Sequence, residues 1–252
     1  MTPARDTRHA FSSLRPLVRY VDAEQAVIEV VFTVTQPETL EDDRVQMHVS
    51  LRGPDDRAYS QQAGIALLDG RGVMRFTMPQ PQRWWPAGMG DQQLYEMTAT
   101  LLIGDGPADA WTTTLGMTSV RTRSAELPRA LLVNGRAFGV QTVVTVDRHD
   151  ESSVLPVSGE SLLLVRNHFG PDVLYDAADR AGILLVQSVP LNHDDEPDIQ
   201  VRQHVDRLTA HPSLAGWYVG PQGRFADRIV DRLHDLDPTR NVFRALPVAE
   251  NA

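Results

Sequence analysis

Three stretches of the sequence contain side chains that could bind a metal ion or move a proton. HDDEP at 193–197 and DRHDE at 147–151 each combine a histidine with carboxylates, and His204 and His211 lie two helical turns apart. One histidine beside adjacent acids does not fix a coordination geometry, so solvated loops are the preferred interpretation of both clusters. His211 precedes a proline, so we expect it to end a helix. The sequence therefore predicts no metal site.

A fourth stretch, GWYVGPQG at 216–223, has the form of a catalytic position without its chemistry. Its apolar residues rise to Val219 and stop at Gly220, Pro221 and Gln222, a pattern typical of a buried strand that opens into a loop. Such strand ends carry the catalytic groups of many α/β enzymes. This strand end offers no acid, base or nucleophile.

Composition limits the classes of function. The chain has 252 residues, 42% of them hydrophobic, and a formal net charge of -9. This charge argues against nucleic acid or an anionic membrane surface as a main partner, because both need a basic patch. Without cysteine there is no disulfide framework. Neither a signal peptide nor a membrane-spanning apolar run is recognisable, so we expect a cytoplasmic protein without membrane insertion.

The first half of the chain has the pattern of short β-strands. Apolar and polar residues alternate in RVQMHVSL at 44–51, and AVIEVVFTV at 26–34 and LYEMTATLLI at 94–103 are rich in β-branched or aromatic residues. Turn signals, namely RGPDD, LDGRG and IGDGPAD, lie between these runs. Short strands separated by turns at this spacing predict a β-sandwich.

The second half alternates strand and helix patterns. The apolar runs SLLLVRNH, ILLVQSV and LAGWYVG are followed by the helical patterns PDVLYDAADRAG, PDIQVRQHVDRLTAHP and RFADRIVDRLHDLD, and NVFRAL could open one more strand. Pro171 and Gly182 suit the start and the end of the first helix. This alternation predicts βαβ units and a parallel sheet.

Six segments, between about residues 15 and 245, carry a resemblance to a known family. They are RWWPAGMGDQQLY, LGMTSVR, LLVNGRAF, LLLVRNHFGPDVLYDAADRAGILLVQ, HPSLAGWYVGPQ and DPTRNV. In this order they resemble segments of glycoside hydrolase family 2, the β-galactosidase, β-glucuronidase and β-mannosidase group. The resemblance implies a multidomain β plus α/β fold, an immunoglobulin-like β-sandwich followed by an incomplete (β/α)8 TIM-type barrel.

The resemblance also implies domain boundaries. We predict an N-terminal arm at 1–13, an immunoglobulin-like β-sandwich at 14–126, and a truncated TIM-barrel-like α/β domain at 127–252 that holds about strands 1–5. Trp84 and Trp85 could stack on a sugar. Packing is the preferred role, because the family uses this segment for support.

The family's reaction needs two carboxyl groups about 5 to 5.5 Å apart, one as acid/base and one as nucleophile. HPSLAGWYVGPQ is similar to the family's NHPSI-x-WS-x-GNE, so Pro221 falls on the Asn and Gln222 on the acid/base Glu. An amide cannot give up a proton near neutral pH. Gln187 also stands where the family pattern has Glu, and the nucleophile strand has no counterpart in the sequence. We therefore predict no catalytic residue.

A residual sugar cleft is the remaining site hypothesis. Its candidates are Arg166 and His168, which match the family's R-x-H pair, together with Trp217 and the degenerate position Gln222. A structural hydrogen-bonded pair is the preferred interpretation of Arg166 and His168. No cofactor is indicated.

A barrel cut after about five strands has open edges and an uncovered apolar face. We expect another protein or a second copy to cover it, in an assembly that could include the cytoplasmic face of a membrane complex. The leading hypothesis is a non-catalytic structural or interaction subunit of a larger assembly. The alternatives are a carbohydrate-binding pseudoenzyme and a weak β-glycosidase with a relocated acid.

Overall fold

The computed structural model divides the chain into two compact units. The described residues are 9–37, 40, 45–104, 106–122, 130–147, 161–190, 197–220 and 226–247. The first unit comprises residues 1–82 and 93–115, and the second comprises 83–92 and 116–252. Segment 83–92, which we predicted as part of the sandwich, is therefore grouped with the second unit.

The first unit contains two antiparallel sheets. Its strands are β1 (Phe11–Val21), β2 (Gln25–Val34), β3 (Val45–Arg52), β4 (Ala58–Gly64), β5 (Arg71–Pro79), β6 (Tyr95–Ile103) and β7 (Gly106–Leu115). Three strands pair in the order β1-β2-β5 and four in the order β4-β3-β6-β7. Two antiparallel sheets of this size form an immunoglobulin-like sandwich, so the predicted β-sandwich is confirmed. The first strand begins at Phe11, inside the predicted 1–13 arm.

Alternating side chains build the core of this unit. In β5, Met74, Phe76 and Met78 are buried while the residues between them are exposed, because successive side chains of a strand point to opposite faces. The strand follows a two-residue turn, Asp69–Gly70, whose φ angles of 51° and 74° are both positive. Asp-Gly is a preferred sequence for such a turn, which agrees with the turn signal in LDGRG.

The first three strands of the second unit form a small antiparallel sheet. Its strands are β8 (Val120–Thr122), β9 (Ala130–Val133) and β10 (Arg136–Gly139), in the order β10-β9-β8. β9 and β10 are joined by Asn134–Gly135, again with both φ angles positive, at 48° and 83°. The Asn134 side chain also forms a hydrogen bond, in which Nδ2 donates to the Trp84 carbonyl oxygen at 2.9 Å.

A five-stranded parallel sheet forms the centre of the second unit. Its strands run in sequence order: β11 (Thr142–Val146), β12 (Ser161–Val165), β13 (Leu184–Ser188), β14 (Leu214–Tyr218) and β15 (Asn241–Phe243). The helices α1 (Asp172–Ala181), α2 (Pro197–Leu208) and α3 (Ala226–Leu236) connect the last four strands. The predicted strand and helix alternation is confirmed from β12 to β15. The segment 148–160, between β11 and β12, lies outside the described residues.

The three helices cover one face of the parallel sheet. Buried residues from the strands and helices form one cluster, which includes Leu163, Val165, Leu185, Leu214, Trp217, Leu174, Ala178, Val205, Leu208, Ile229 and Leu233. α1 ends at Gly182, whose φ of 70° and N–H bond to the Ala178 carbonyl form a left-handed C-cap. Within the described part of the chain, no helix is both long and apolar enough to cross a membrane.

Segment 83–92 is fastened to the second unit by hydrogen bonds. The Trp84 side chain is completely buried, and its Nε1 donates to the Asp179 carbonyl oxygen at 2.8 Å. The Ala87 N–H donates to the Gly182 carbonyl oxygen at 2.8 Å. A Cβ on Gly182 would lie 2.5 Å from the Ala87 nitrogen, so this close approach requires glycine. The predicted packing role of Trp84 is confirmed.

Candidate binding cleft at the carboxyl edge of the parallel sheet

A cleft of about 350 Å³ lies where three neighbouring strands of the parallel sheet end. Residues that follow β12, end or follow β13, and end or follow β14 line it: Arg166, Asn167, Ser188, Val189, Pro190, Tyr218 and Val219. The carboxyl ends of parallel strands are the usual position of ligand sites in α/β folds. The fold therefore marks this cleft as the candidate site.

The lining of the cleft is polar but contains no carboxyl group among the described residues. Arg166 is exposed and carries the one charge of the described lining at neutral pH. Asn167, Ser188 and Tyr218 add an amide and two hydroxyl groups. The amide and the hydroxyl groups can donate and accept hydrogen bonds. The Arg166 guanidinium can donate hydrogen bonds to a negatively charged group of a ligand. None of them replaces the carboxylic acid of a glycosidase.

The loop that presents Arg166 and Asn167 is fastened by hydrogen bonds on both sides. The Arg166 N–H donates to the Val146 carbonyl oxygen at 3.2 Å, and His168 Nδ1 lies 2.7 Å from the Arg166 carbonyl oxygen. A carbonyl oxygen only accepts, so Nδ1 carries the proton. Asn167 has a φ of 61°, an uncommon conformation for a residue with a side chain.

Gln187, a residue of β13, binds this loop through its side-chain amide. It is fully buried in β13, and its Nε2 donates to the carbonyl oxygens of His168 and Ser188, both at 2.7 Å. Its Oε1 accepts a hydrogen bond from the Tyr175 hydroxyl at 2.5 Å. Only an amide can donate two bonds and accept a third here. This requirement explains a glutamine at the position where the family pattern has Glu.

Residues of α1 and α2 complete the support of the loop. The Tyr175 hydroxyl accepts from the Gly170 N–H at 3.0 Å, and Arg207 Nη2 donates to the Gly170 carbonyl oxygen at 2.9 Å. Burial raises the pKa of Tyr175 to about 12, so the hydroxyl keeps its proton and can donate to Gln187. Arg207 also binds Asp172. The loop is therefore held from two helices and one strand.

His204 belongs to the same support. Its ring stacks on Phe169 with centroids 3.6 Å apart and planes 11° from parallel. Burial, and then the nearby Arg207 charge, lower the pKa of His204 to about 4. The ring is therefore neutral at physiological pH and packs against Phe169 as part of the fold.

The predicted sugar-cleft residues fall in different environments. Arg166 lines the cleft and His168 is buried behind it. Trp217 is fully buried on the helix side, and its Nε1 donates to Asp237 Oδ2 at 2.9 Å. Pro221 and Gln222 lie outside the described residues. The structure thus places Arg166 and His168 in the same loop and Trp217 in the core. Sugar binding by Arg166, His168, Trp217 and Gln222 stays a prediction.

A buried carboxylate at the opposite end of the sheet was not anticipated from the sequence. Ligand atoms of Asp176, Asp179 and His211 lie within 4.8 Å of one another. Asp179 Oδ2 is 2.7 Å from His211 Nδ1, and Asp179 Oδ1 accepts from the Ser213 N–H at 3.0 Å. Both oxygens therefore bind donors of the chain and fix the turn before β14.

A sequence signal for Asp179 was available, because this acid falls on the buried face of α1 beside Tyr175 and Ala178. A charged residue within an apolar stripe usually has a partner. Of the clusters that looked metal-like in the sequence, the acids and histidine at 193–196 and 148–151 lie outside the described residues.

Comparison with known proteins supports the resemblance found in the sequence. The family model described as "Glycosyl hydrolases family 2" matches residues 17–117. An exo-beta-D-glucosaminidase from Amycolatopsis orientalis is 26% identical over 195 residues, which is 64% of this chain and 19% of the relative. Beta-mannosidase B from Aspergillus clavatus is 26% identical over 181 residues, 59% of this chain and 21% of the relative.

Solved structures share the fold. A glycosyl hydrolase family 2 member from Bacteroides cellulosilyticus superposes with a TM-score of 0.73 at 18% identity, covering 93% of this chain and 36% of that protein. An exo-chitosanase from Amycolatopsis orientalis gives a TM-score of 0.69 at 22% identity, with coverages of 94% and 32%.

The chain spans only about a fifth of the length of the curated relatives it matches. It spans about a third of the solved structures. In sequence over residues 17–117, and in fold over most of its length, the chain is similar to proteins of glycoside hydrolase family 2.

Proposed function

We propose that this chain is a non-catalytic relative of family 2 glycosidases that acts as a structural or interaction subunit of a larger protein assembly. One observation carries the proposal: the cleft at the carboxyl edge of the sheet has no carboxyl group among its described lining residues. The sequence adds that Gln222, an amide, stands at the family's acid/base position.

Glycoside hydrolysis by the family's route requires two carboxyl groups on opposite sides of the scissile bond. Arg166, Asn167, Ser188 and Tyr218 can bind a ligand, but none can act as the carboxylic acid that protonates the leaving group. Gln187 is occupied by three hydrogen bonds inside the protein. The described lining of the cleft therefore supports a non-catalytic role.

We propose further that the parallel sheet is an incomplete (β/α)8 barrel. Its sequential strand order, its helical crossovers and the likeness to family 2 structures support this assignment. Among the described strands, β11 and β15 each pair on one side only. β11, with the sequence TVVTV, leaves Val144 38% exposed. Such edges favour a second polypeptide, either a different protein or another copy.

A hydrolysis assay with purified protein tests the loss of catalysis. We expect no turnover of aryl β-mannosides, β-glucosaminides, β-galactosides or β-glucuronides. The double variant Pro221→Asn, Gln222→Glu restores the family's pair and should stay inactive, because the described cleft supplies no second carboxylate. Turnover that one acidic-to-amide substitution abolishes would contradict the proposal.

Purification from the native source tests the subunit role. A partner at fixed stoichiometry, or a second copy, is expected to remain bound through size-exclusion chromatography. A monomer at all concentrations would argue against this role while leaving the absence of catalysis intact.

Carbohydrate binding is the second candidate function, and the fastened cleft loop favours it. A preorganised polar cleft loses less conformational entropy when it binds a ligand. Calorimetry with mannosides, galactosides and glucuronides tests this candidate. Absence of heat with every sugar, together with no effect of Gln222→Ala, would reject it.

A further inference from the structure

We propose that a surface patch formed by Arg83, Trp85 and Arg136 docks an acidic segment of a partner protein. These three residues are called the Trp85 patch below, and all of them belong to the second unit. The inference rests on the interaction-subunit role proposed above. It adds the surface of contact and the chemistry of the partner.

Two guanidinium groups lie over a single indole ring. The Arg83 Cζ is 4.9 Å and the Arg136 Cζ is 5.2 Å from the centroid of the Trp85 ring. Both distances are within the roughly 6 Å over which a cation is attracted to an aromatic face. The two guanidinium carbons are therefore no farther apart than the sum of these distances, so the indole gathers two positive charges at one place.

The charges of the patch are not neutralised by the described residues. Within the described part of the chain, Arg83 and Arg136 contact an indole and a carbonyl oxygen but no acid, and neither forms an ion pair with the nearby Asp91. Exposed arginines elsewhere in the chain do form ion pairs with acids, namely Arg52, Arg57 and Arg75. Like charges at close range repel each other, so a partner that brings carboxylates relieves this repulsion.

The patch is held in place before a partner binds. Arg136 Nη1 donates to the Met89 carbonyl oxygen at 3.2 Å, and Gln92 Nε2 donates to the Trp85 carbonyl oxygen at 3.0 Å. The indole packs closely against Gly90, where an added Cβ would lie 2.8 Å from Trp85 Cδ1. A preorganised surface loses less conformational entropy when it binds a partner.

The patch is also accessible. Arg136 is exposed, and Arg83 and Trp85 are half-buried. Tryptophan and arginine are the residue types most enriched among those that contribute most to binding at protein interfaces. The indole offers apolar area for such a contact, and the guanidinium groups offer hydrogen-bond donors.

The net charge of the chain restricts where an acidic partner can dock. The chain carries a formal charge of -9, which repels an acidic protein from most of its surface, whereas the Trp85 patch attracts it. Planar guanidinium groups match the geometry of carboxylates. An extended segment rises roughly 3.3 Å per residue, so two acids that lie two or three residues apart can reach both arginines.

Titration of the full chain with synthetic peptides at low salt tests the proposal. The probe is the acidic peptide acetyl-GELELEG-amide, with acetyl-GQLQLQG-amide as its neutral match and inorganic phosphate as the isolated anion. We expect the acidic peptide to bind about tenfold or more tightly than both controls, because its carboxylates form charge-assisted hydrogen bonds with two arginines. The advantage should shrink as salt is added.

The indole N–H signals in a nitrogen–proton NMR spectrum locate the bound peptide. The chain contains 4 tryptophans, and the variant Trp85→Phe identifies the signal of Trp85. The acidic peptide should shift this signal and leave that of Trp217 in place, because Trp217 is fully buried.

Paired variants identify the groups responsible. Arg83→Gln together with Arg136→Gln should reduce the affinity for the acidic peptide about tenfold or more, and Arg83→Lys together with Arg136→Lys should retain part of it. The control is Arg52→Gln together with Arg75→Gln, which removes the same number of charges from exposed arginines of the first unit and should change the affinity little. Thermal unfolding checks that each variant is folded.

Four results would overturn the proposal. They are no binding of the acidic peptide, equal affinity for the neutral peptide or for phosphate, an unchanged Trp85 signal, and unchanged affinity in the paired glutamine variant. The subunit role is tested separately. A native assembly that stays intact in the paired glutamine variant would remove the Trp85 patch from the interface and leave the subunit role standing. A chain that is monomeric at all concentrations but binds the acidic peptide at Trp85 would contradict the subunit role and keep the patch.

Discussion

The two ends of the parallel sheet both bury polar residues, but they use them differently. At the carboxyl end, Gln187 and His168 bond to backbone groups of the loop that places Arg166 at the cleft. At the amino end, Asp179 and Arg240 bond to other groups of the chain. One end therefore fixes a loop to present side chains, whereas the other uses its side chains to close the fold.

The amino end forms a nearly continuous network. Asp237 accepts from the Trp217 indole at 2.9 Å and from the Thr239 hydroxyl at 2.6 Å. Arg240 donates to the Thr239 hydroxyl at 3.0 Å and to the His211 carbonyl at 3.1 Å. Residues at the amino face of parallel α/β sheets usually serve stability. The comparison predicts that substitutions at this end affect folding most.

The largest expected effect is that of Asp179→Ala. It leaves the buried Ser213 N–H and His211 Nδ1 without their acceptor, and breaking a buried pair costs about 3 to 5 kcal/mol. Chemical denaturation measures the loss. Asp176→Ala on the same helix is the control and should cost less than about 1 kcal/mol, because Asp176 is only partly buried. Equal losses would contradict the difference in burial.

The next effect is that of Gln187→Glu, an isosteric change at the carboxyl end. A carboxylate there would face the carbonyl oxygens of His168 and Ser188, at a cost of roughly 2 to 3 kcal/mol. Burial raises the pKa of such a carboxyl group, so the loss should grow as the pH rises through that value. Urea unfolding at pH 5 and pH 8 measures it.

Gln203→Glu, at an exposed position of α2, is the control for the same chemical change. We expect it to leave the free energy of unfolding nearly unchanged. A Gln187→Glu variant as stable as the parent at pH 8 would show that the amide is not needed.

A smaller effect is expected from protonation of His204. Its pKa is lowered from 6.5 to about 4 in the folded chain, so the unfolded chain takes up the proton first as the pH falls. The contribution to stability is complete above pH 6.5 and is lost progressively toward pH 4. The midpoint of thermal unfolding should therefore fall more steeply over this range in the parent than in His204→Gln.

The control for the pH series is His234→Gln, which removes an exposed histidine of α3. Its curve should follow that of the parent. A His204→Gln curve with the parent's slope would place the acid sensitivity elsewhere.

The smallest effect is expected from Asp172→Ala, which removes the exposed partner of Arg207. The Asp172 side chain is 67% exposed, and exposed ion pairs contribute about 0 to 1 kcal/mol. Arg207 keeps its bond to the Gly170 carbonyl. Denaturation should show that the free energy of unfolding falls by less than about 1 kcal/mol. The change should be similar to that of Asp227→Ala, since Asp227 is an exposed residue of α3 that pairs with Arg244. A larger loss of unfolding free energy would show that Asp172 helps Arg207 to hold the cleft loop.

Local sequence patterns predicted the helices, strands and turns, but not the side-chain hydrogen bonds that join them. The start of α1 after Pro171 and its end at Gly182 follow from residues within one helix, and the turn at Asp69–Gly70 follows from two residues. The spacing of short strands and turns predicted the sandwich, and the family resemblance added its immunoglobulin-like type and the candidate cleft residue Arg166. These features depend on neighbours in the sequence or on motifs several residues long.

The role of Gln187 could not be predicted in the same way. Its partners, Tyr175 and His168, lie 12 and 19 residues away, and only the folded sheet brings them together. The sequence showed an amide where a carboxylate was expected, which suggested lost chemistry. The structure adds a reason for the amide itself, because it donates two hydrogen bonds that a carboxylate cannot donate.

The grouping of segment 83–92 with the second unit limits how recombination can divide the gene. The chain passes between the units at 82/83, 92/93 and 115/116. A recombination breakpoint at 92/93 or 115/116 would separate Trp84 from Asp179, the residue whose carbonyl it binds, and one at 82/83 would divide the first unit. No single breakpoint therefore separates the two units from each other.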